Sequence, residues 1–136
     1  MRFLLRLIKE EKGSASVEFV MLAIPLFLPI FIYLNQFASI SWGEESAQVL
    51  ARESLRGYVQ TKSDMSGQIV ATQVIAIVGT KLGLSSKEID SITINIECSR
   101  NPCISANSII RNEIRIHLDN GRIVSAIAQE HLSPWL

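Results

Sequence analysis

The stretch Phe19-Val20-Met21-Leu22-Ala23-Ile24-Pro25-Leu26-Phe27-Leu28-Pro29-Ile30-Phe31-Ile32-Tyr33-Leu34 decides the fold. It is apolar throughout, and no charged residue follows until Glu44, so Phe19 to Gly43 is one uncharged segment. A bilayer core takes about 20 mainly apolar helical residues, and this segment is long enough to cross it. Immediately before it stands Glu18, a carboxylate at the end of a membrane helix, where ionisable groups are costly and call for a partner. Arg2, Arg6, Lys9 and Lys12 precede the span and Glu44-Glu45 follow it. The positive-inside rule therefore keeps the N-terminus in the cytoplasm and exports the bulk of the chain.

Within the span, Pro25 and Pro29 remove backbone donors and predict a weak or kinked helix, which membrane surroundings tolerate. Tyr33 and Trp42 bracket its outer end, as interfacial aromatic residues do. Beyond it, Ala47, Leu50, Ala51, Leu55 and Tyr58 recur at three- and four-residue spacing, with Glu44, Glu45, Arg52, Glu53 and Arg56 on other faces. That pattern continues the membrane helix as an amphipathic one to about Val59. Thr61-Lys62-Ser63-Asp64 ends it and caps a second helix, read as Gly67 to Leu82, with Val70, Val74, Ile77, Val78 and Leu82 inward and Gly83 as the stop. Gly79-x-x-x-Gly83 has the form of a helix-packing motif but lies outside the apolar span and fits a helix end. Ser85-x-x-Glu88 has the form of a capping box opening one short turn.

From Ile92 the period becomes two. Ile92, Ile94 and Ile96 alternate with Thr93, Asn95 and Glu97, and the pattern returns at Ile114, Ile116 and Leu118. Asn120-Gly121 is a hairpin signal. A two-residue loop there pairs Asp119 with Arg122, so Leu118 faces Ile123 and Ile114 faces Ile127, with Ser125 opposite Ile116 breaking an otherwise apolar face. The expected class is α+β: a long N-terminal transmembrane-plus-amphipathic helix, a second helix and a small antiparallel sheet.

Cys98 and Cys103 enclose Ser99-Arg100-Asn101-Pro102, a turn-forming sequence in a domain expected to meet oxidising conditions, which favours a disulfide. Two reduced buried thiols are the alternative. A metal site needs more ligands than this pair, and His117 and His131 are not spaced to supply them. There is no nucleophile elbow, phosphate loop, H-E-x-x-H or paired-cysteine redox motif, so no catalytic residue, cofactor or enzymatic role is expected. His117 falls on the strand face opposite the isoleucines, where it reads as solvated. The whole chain is formally neutral, and without residues 1–13, which hold four basic and two acidic residues, it carries −2. No basic patch marks a nucleic-acid partner. The soluble part has under about a hundred residues, a size that often leans on a disulfide or a partner.

Gly13-Ser14-Ala15-Ser16-Val17-Glu18-Phe19, between the basic leader and the apolar run, resembles the class III signal of type IV pilin-like proteins. It is most similar to TadE-like minor pseudopilins of tight-adherence (Tad/Flp) pilus systems. The match covers about the N-terminal third of the chain. It departs from type II secretion and ordinary type IV pilins, whose mature chains usually begin with an N-methylated Phe or Met and a Thr-Leu-Ile-Glu-like run, whereas Ser14 would be first here. The resemblance implies a pilin-like fold and cleavage by a prepilin peptidase between Gly13 and Ser14. It further implies a role for Glu18, followed by Phe19, in processing or assembly. The parts would be a leader 1–13, a transmembrane and assembly helix 14–43 and an exported α+β head 44–136. Implied partners are the peptidase, other pilin and pseudopilin subunits, the inner-membrane assembly platform and the membrane itself. The Glu18 carboxylate would pair with the Ser14 amine of a neighbouring subunit, since an unpaired charge among packed helices is strongly destabilising. Length argues against a major Flp pilin, which resembles a bare helix, and for a minor, initiating or tip subunit.

Two other readings start from the same residues. Glu18 can serve as a favourable charge at the start of an ordinary signal-anchor helix. Alternatively, residues up to Ser41 form a conventional secretory signal with cleavage near Ser39-Ile40-Ser41, although the apolar run is long for one. Either leaves a small membrane-anchored or secreted binding domain.

Overall fold

The computed structural model describes residues 15–135. In chain order the elements are α1 (Ala15–Val59), α2 (Asp64–Lys81), α3 (Ser86–Asp90), β1 (Thr93–Cys98), β2 (Ile109–His117) and β3 (Ile123–His131). The strands form one antiparallel sheet in the order β1-β2-β3, so the class is α+β, as the patterning predicts. The chain divides between Ser39 and Ile40 into two compact units.

The first unit holds α1 from Ala15 to Ser39, where Glu18 is the charged residue. Pro25 and Pro29 lie inside the helix without ending it. Lacking N–H groups, they leave the carbonyls of Met21 and Pro25 without their intrahelical donors, which thins the ladder while the turns on either side keep their bonds.

The second unit is the head, and α1 supplies its central stripe. Ala47, Leu50, Ala51, Leu55 and Tyr58 are all buried, as their spacing predicts, while Glu44, Glu45, Arg52 and Arg56 stay exposed. The side chain of Ser63 caps α2 by accepting from the N–H of Ser66, so α2 starts three residues earlier than its apolar pattern indicates. Its inward row also differs from expectation. Gly67, Ala71, Ile75 and Gly79 are buried, Val70, Val74, Val78 and Leu82 flank them half-buried, and Ile77 points out at 58% exposure. Small residues are inward because α1 comes close: a Cβ on Gly67 would stand 2.7 Å from the Tyr58 ring. The helix ends in a Schellman motif, with Leu84 N–H donating to Gly79 O, Gly83 N–H to Thr80 O, and Gly83 at φ +85°.

The capping box is realised at α3: Ser85 Oγ accepts from Glu88 N–H and Glu88 Oε2 accepts from Ser85 N–H. The second Glu88 oxygen accepts from Asp119 N–H at 3.0 Å, which fastens α3 to the turn after β2.

Ile94, Ile96 and Cys98 of β1 and Ile110, Ile114 and Ile116 of β2 face inward, as the alternation predicts. The register of β3 corrects the expected hairpin. Leu118 N–H donates to Arg122 O and Gly121 N–H to Leu118 O, with Gly121 at φ +81°, so the loop has three residues, 119–121. The extra residue moves the pairing to His117↔Ile123, Ile116↔Val124 and Ile114↔Ala126. A one-residue shift flips every side chain. Val124, Ala126 and Ala128 therefore enter the core, whereas Ile123 and Ile127 face outward, 61% and 53% exposed.

Candidate membrane-embedded assembly site

The candidate site is the start of α1. Of the residues singled out there, Gly13 and Ser14 lie outside the described residues. Helix α1 is already formed at Ala15, and Glu18 sits in its first turn, where a carboxylate favours the positive helix end. Glu18 is exposed, and among the described residues the ion pairs are Glu53–Arg56 and Glu113–Arg115, neither of which involves it. Phe19 is 71% exposed. The apolar side chains from Val17 to Phe37 are exposed around the whole helix, and none of them is buried among the described residues. A water-soluble helix hides at least one apolar stripe, so this segment has the surface of a helix surrounded by lipid or by other helices. At 1.5 Å per residue, Phe19 to Gly43 extends about 37 Å, more than the roughly 30 Å of a bilayer core. The helix is thus compatible with a single-pass membrane anchor.

In the C-terminal part of this segment Asn35 Nδ2 donates to Phe31 O at 2.8 Å and Ser39 Oγ to Gln36 O at 2.8 Å, so these polar groups are satisfied along the helix itself. Tyr33 and Trp42 are exposed, as interfacial anchors would be.

No protein-family model, curated protein or solved structure matches the chain.

At the other candidate position, Cys98 and Cys103 are joined in a disulfide with their Cα atoms 5.2 Å apart, and no reduced thiol remains. Sequence reasoning missed what holds this loop. Asp64, in the first turn of α2, accepts from Cys103 N–H at 2.9 Å and from Ile104 N–H at 3.0 Å. It also accepts the hydrogen bond of the buried Tyr58 hydroxyl, whose pKa is pushed up to about 12 by burial first and by the Asp64 charge and hydrogen bond second. The available signal was Ser63-Asp64, read only as a cap.

A second missed group is Asn112, fully buried on the inner face of β2. Its Nδ2 donates to Ser54 Oγ at 2.8 Å and to Ala51 O at 3.2 Å, tying the sheet to α1. Among the described residues no group of His, Cys, Asp and Glu is arranged to hold a metal ion. His117 is exposed, and His131 Nε2 is 2.7 Å from Asn107 Oδ1.

Proposed function

We propose that the chain is a minor pilin-like (pseudopilin) subunit of a Tad/Flp-type pilus used in adhesion, made as a precursor and taking part in pilus assembly or priming. One observation carries the reading: helix α1 is formed at Ala15, next in sequence to Gly13-Ser14, with Glu18 in its first turn and then an uncharged stretch whose apolar side chains from Phe19 to Phe37 are exposed on every side. Prepilin peptidase would cut after Gly13, making Glu18 the fifth residue, one turn from the new amine of Ser14. Until assembly the subunit sits in the inner membrane with its N-terminus cytoplasmic and its head exported. On incorporation, packing against other pilin and pseudopilin helices at the assembly platform replaces lipid around α1. Glu18 then meets a neighbour's Ser14 amine, and the pair rewards one axial register because a mispaired charge in that low-dielectric core is costly.

The mass of the membrane-extracted protein tests this. A mature chain beginning at Ser14 is expected, and Gly13→Leu should leave the precursor uncut. An N-terminus near Trp42 would identify a secreted domain instead, and an uncut wild-type chain held in the membrane would identify a plain signal anchor.

A further inference from the structure

We propose that Asn120-Gly121 is a self-modification site that the closed β2–β3 loop holds unreactive, and that its reaction once the loop opens destroys the turn that sets the register of β3. Asn120 is the one asparagine of the chain followed by glycine. The main-chain nitrogen after an asparagine can attack the side-chain amide, and a glycine there puts no Cβ in the way. A bond forms between Gly121 N and Asn120 Cγ, the Cγ–Nδ2 bond breaks, and the Gly121 proton leaves with Nδ2 as ammonia. Water then opens the cyclic imide at either carbonyl, leaving an aspartyl or an isoaspartyl residue at position 120. Water is the only co-reactant.

Burial does not protect the pair. Asp119, Asn120 and Gly121 are all exposed, and a Cβ on Gly121 would meet nothing within 4 Å, so water reaches both reacting groups. Hydrogen bonds protect it instead. Gly121 N–H donates to Leu118 O at 2.9 Å, and Asn120 Oδ1 accepts from Arg122 N–H at 3.0 Å. Ring closure has to take the Gly121 proton and turn its nitrogen toward Cγ, which breaks the first bond, and swinging the amide carbon onto that nitrogen breaks the second. The loop is also fixed from outside. Asp119 N–H donates to Glu88 Oε1 and Asp119 Oδ2 accepts from Ser85 Oγ, while Leu118 N–H donates to Arg122 O. Neither residue is free to be exchanged, because Gly121 sits at φ +81° and Asn120 supplies the acceptor for Arg122. The turn needs a reactive pair and restrains it with the same contacts.

The product acts through register. An isoaspartyl link carries the main chain through Cβ and Cγ of residue 120, so the three-residue loop gains a backbone carbon. Loop length is what places Val124, Ala126 and Ala128 in the core in place of Ile123 and Ile127. A lengthened loop loses that setting. An aspartyl product keeps both the chain length and the acceptor for Arg122, and the head tolerates it. This inference concerns the head alone and is independent of cleavage at Gly13 and of the membrane anchor.

The test uses the full chain in detergent micelles at mildly alkaline pH, incubated either folded or in denaturant with Cys98–Cys103 closed. Trypsin, cutting after Arg115 and Arg122, releases peptide 116–122, in which mass spectrometry reads the exchange of NH for O and isoaspartyl-specific methylation reads the branched product. Conversion at Asn120 is expected to be at least about tenfold slower in the folded chain, the factor that about 1.4 kcal/mol of local opening gives. Equal rates in the two states overturn the protection. On return from denaturant, chains with the isoaspartyl link should not regain cooperative unfolding, whereas Asn120→Asp, which makes the other product directly, should unfold cooperatively. Isoaspartyl chains that refold as the wild type does, or an Asn120→Asp chain that fails to fold, overturn the register consequence.

Discussion

Two acidic side chains do different work in this chain, and each is open to a one-atom change. Glu18→Gln keeps size and removes the charge. The head should fold as in the wild type, while the proposed assembly step should fail, leaving the protein in the membrane with few pili even when cleavage at Gly13 proceeds. Wild-type pilus numbers from a correctly processed Glu18→Gln chain would end the pairing mechanism. Asp64 serves the head, where its charge and hydrogen bond add to burial in keeping Tyr58 protonated. The unfolded chain releases the Tyr58 proton near 10.0 and the folded chain near about 12. The unfolded state therefore binds fewer protons in that window, and stability, full below it, falls as pH rises through it. Denaturant titrations should show this loss in the wild type and a flatter profile in Tyr58→Phe. Asp64→Asn should lower the Tyr58 value without returning it to normal, because burial is the largest cause. Ultraviolet titration in a Tyr33→Phe background reads it directly.

Among the elements, the disulfide loop is the most exposed to test. Replacing Cys98 and Cys103 together by Ser should cost about 2 kcal/mol in the loop-entropy account, measured by denaturant unfolding. The loss should remain partial, because Asp64 still accepts from the N–H groups of residues 103 and 104. Which elements were legible beforehand follows from how each hides its apolar groups. The α1 stripe and the inward faces of β1 and β2 were readable because isoleucine, leucine and tyrosine mark them at regular spacing. The α2 row was not. Its contacts are made by Gly67, Ala71 and Gly79, whose value lies in being small next to α1, and hydropathy favours the valines on the flank. The β3 face was misread because Asn120-Gly121 suits more than one loop length, and a single residue in the loop exchanges Ile123 and Ile127 for Val124 and Ala126. Of the candidate site, the carboxylate at Glu18 and the uncharged span were visible, since charge is local in sequence. The contacts of Asp64 with residues 103 and 104 join positions about forty apart, and no local pattern announces them.

At the scale of the molecule, one helix belongs to both units, and the head borrows its middle layer from it. This has a consequence for how the protein is made. Ala47, Leu50, Ala51, Leu55 and Tyr58 leave the ribosome before any residue of the sheet they will pack against, and α2 supplies only part of their cover within the head. If the chain is exported as proposed, the head can close only after β3 and Leu132 have been delivered to the same compartment, so folding waits on their translocation. A truncated chain starting at Ser41 should be soluble, cooperative in unfolding and disulfide-bonded. One starting at Gln60 should lack cooperative unfolding by circular dichroism even with the disulfide formed. If the proposed topology holds, the wait has a use. A chain whose β3 is still on the cytoplasmic side keeps its stripe unmatched and open to quality-control proteases, so only copies with an exported head persist for assembly.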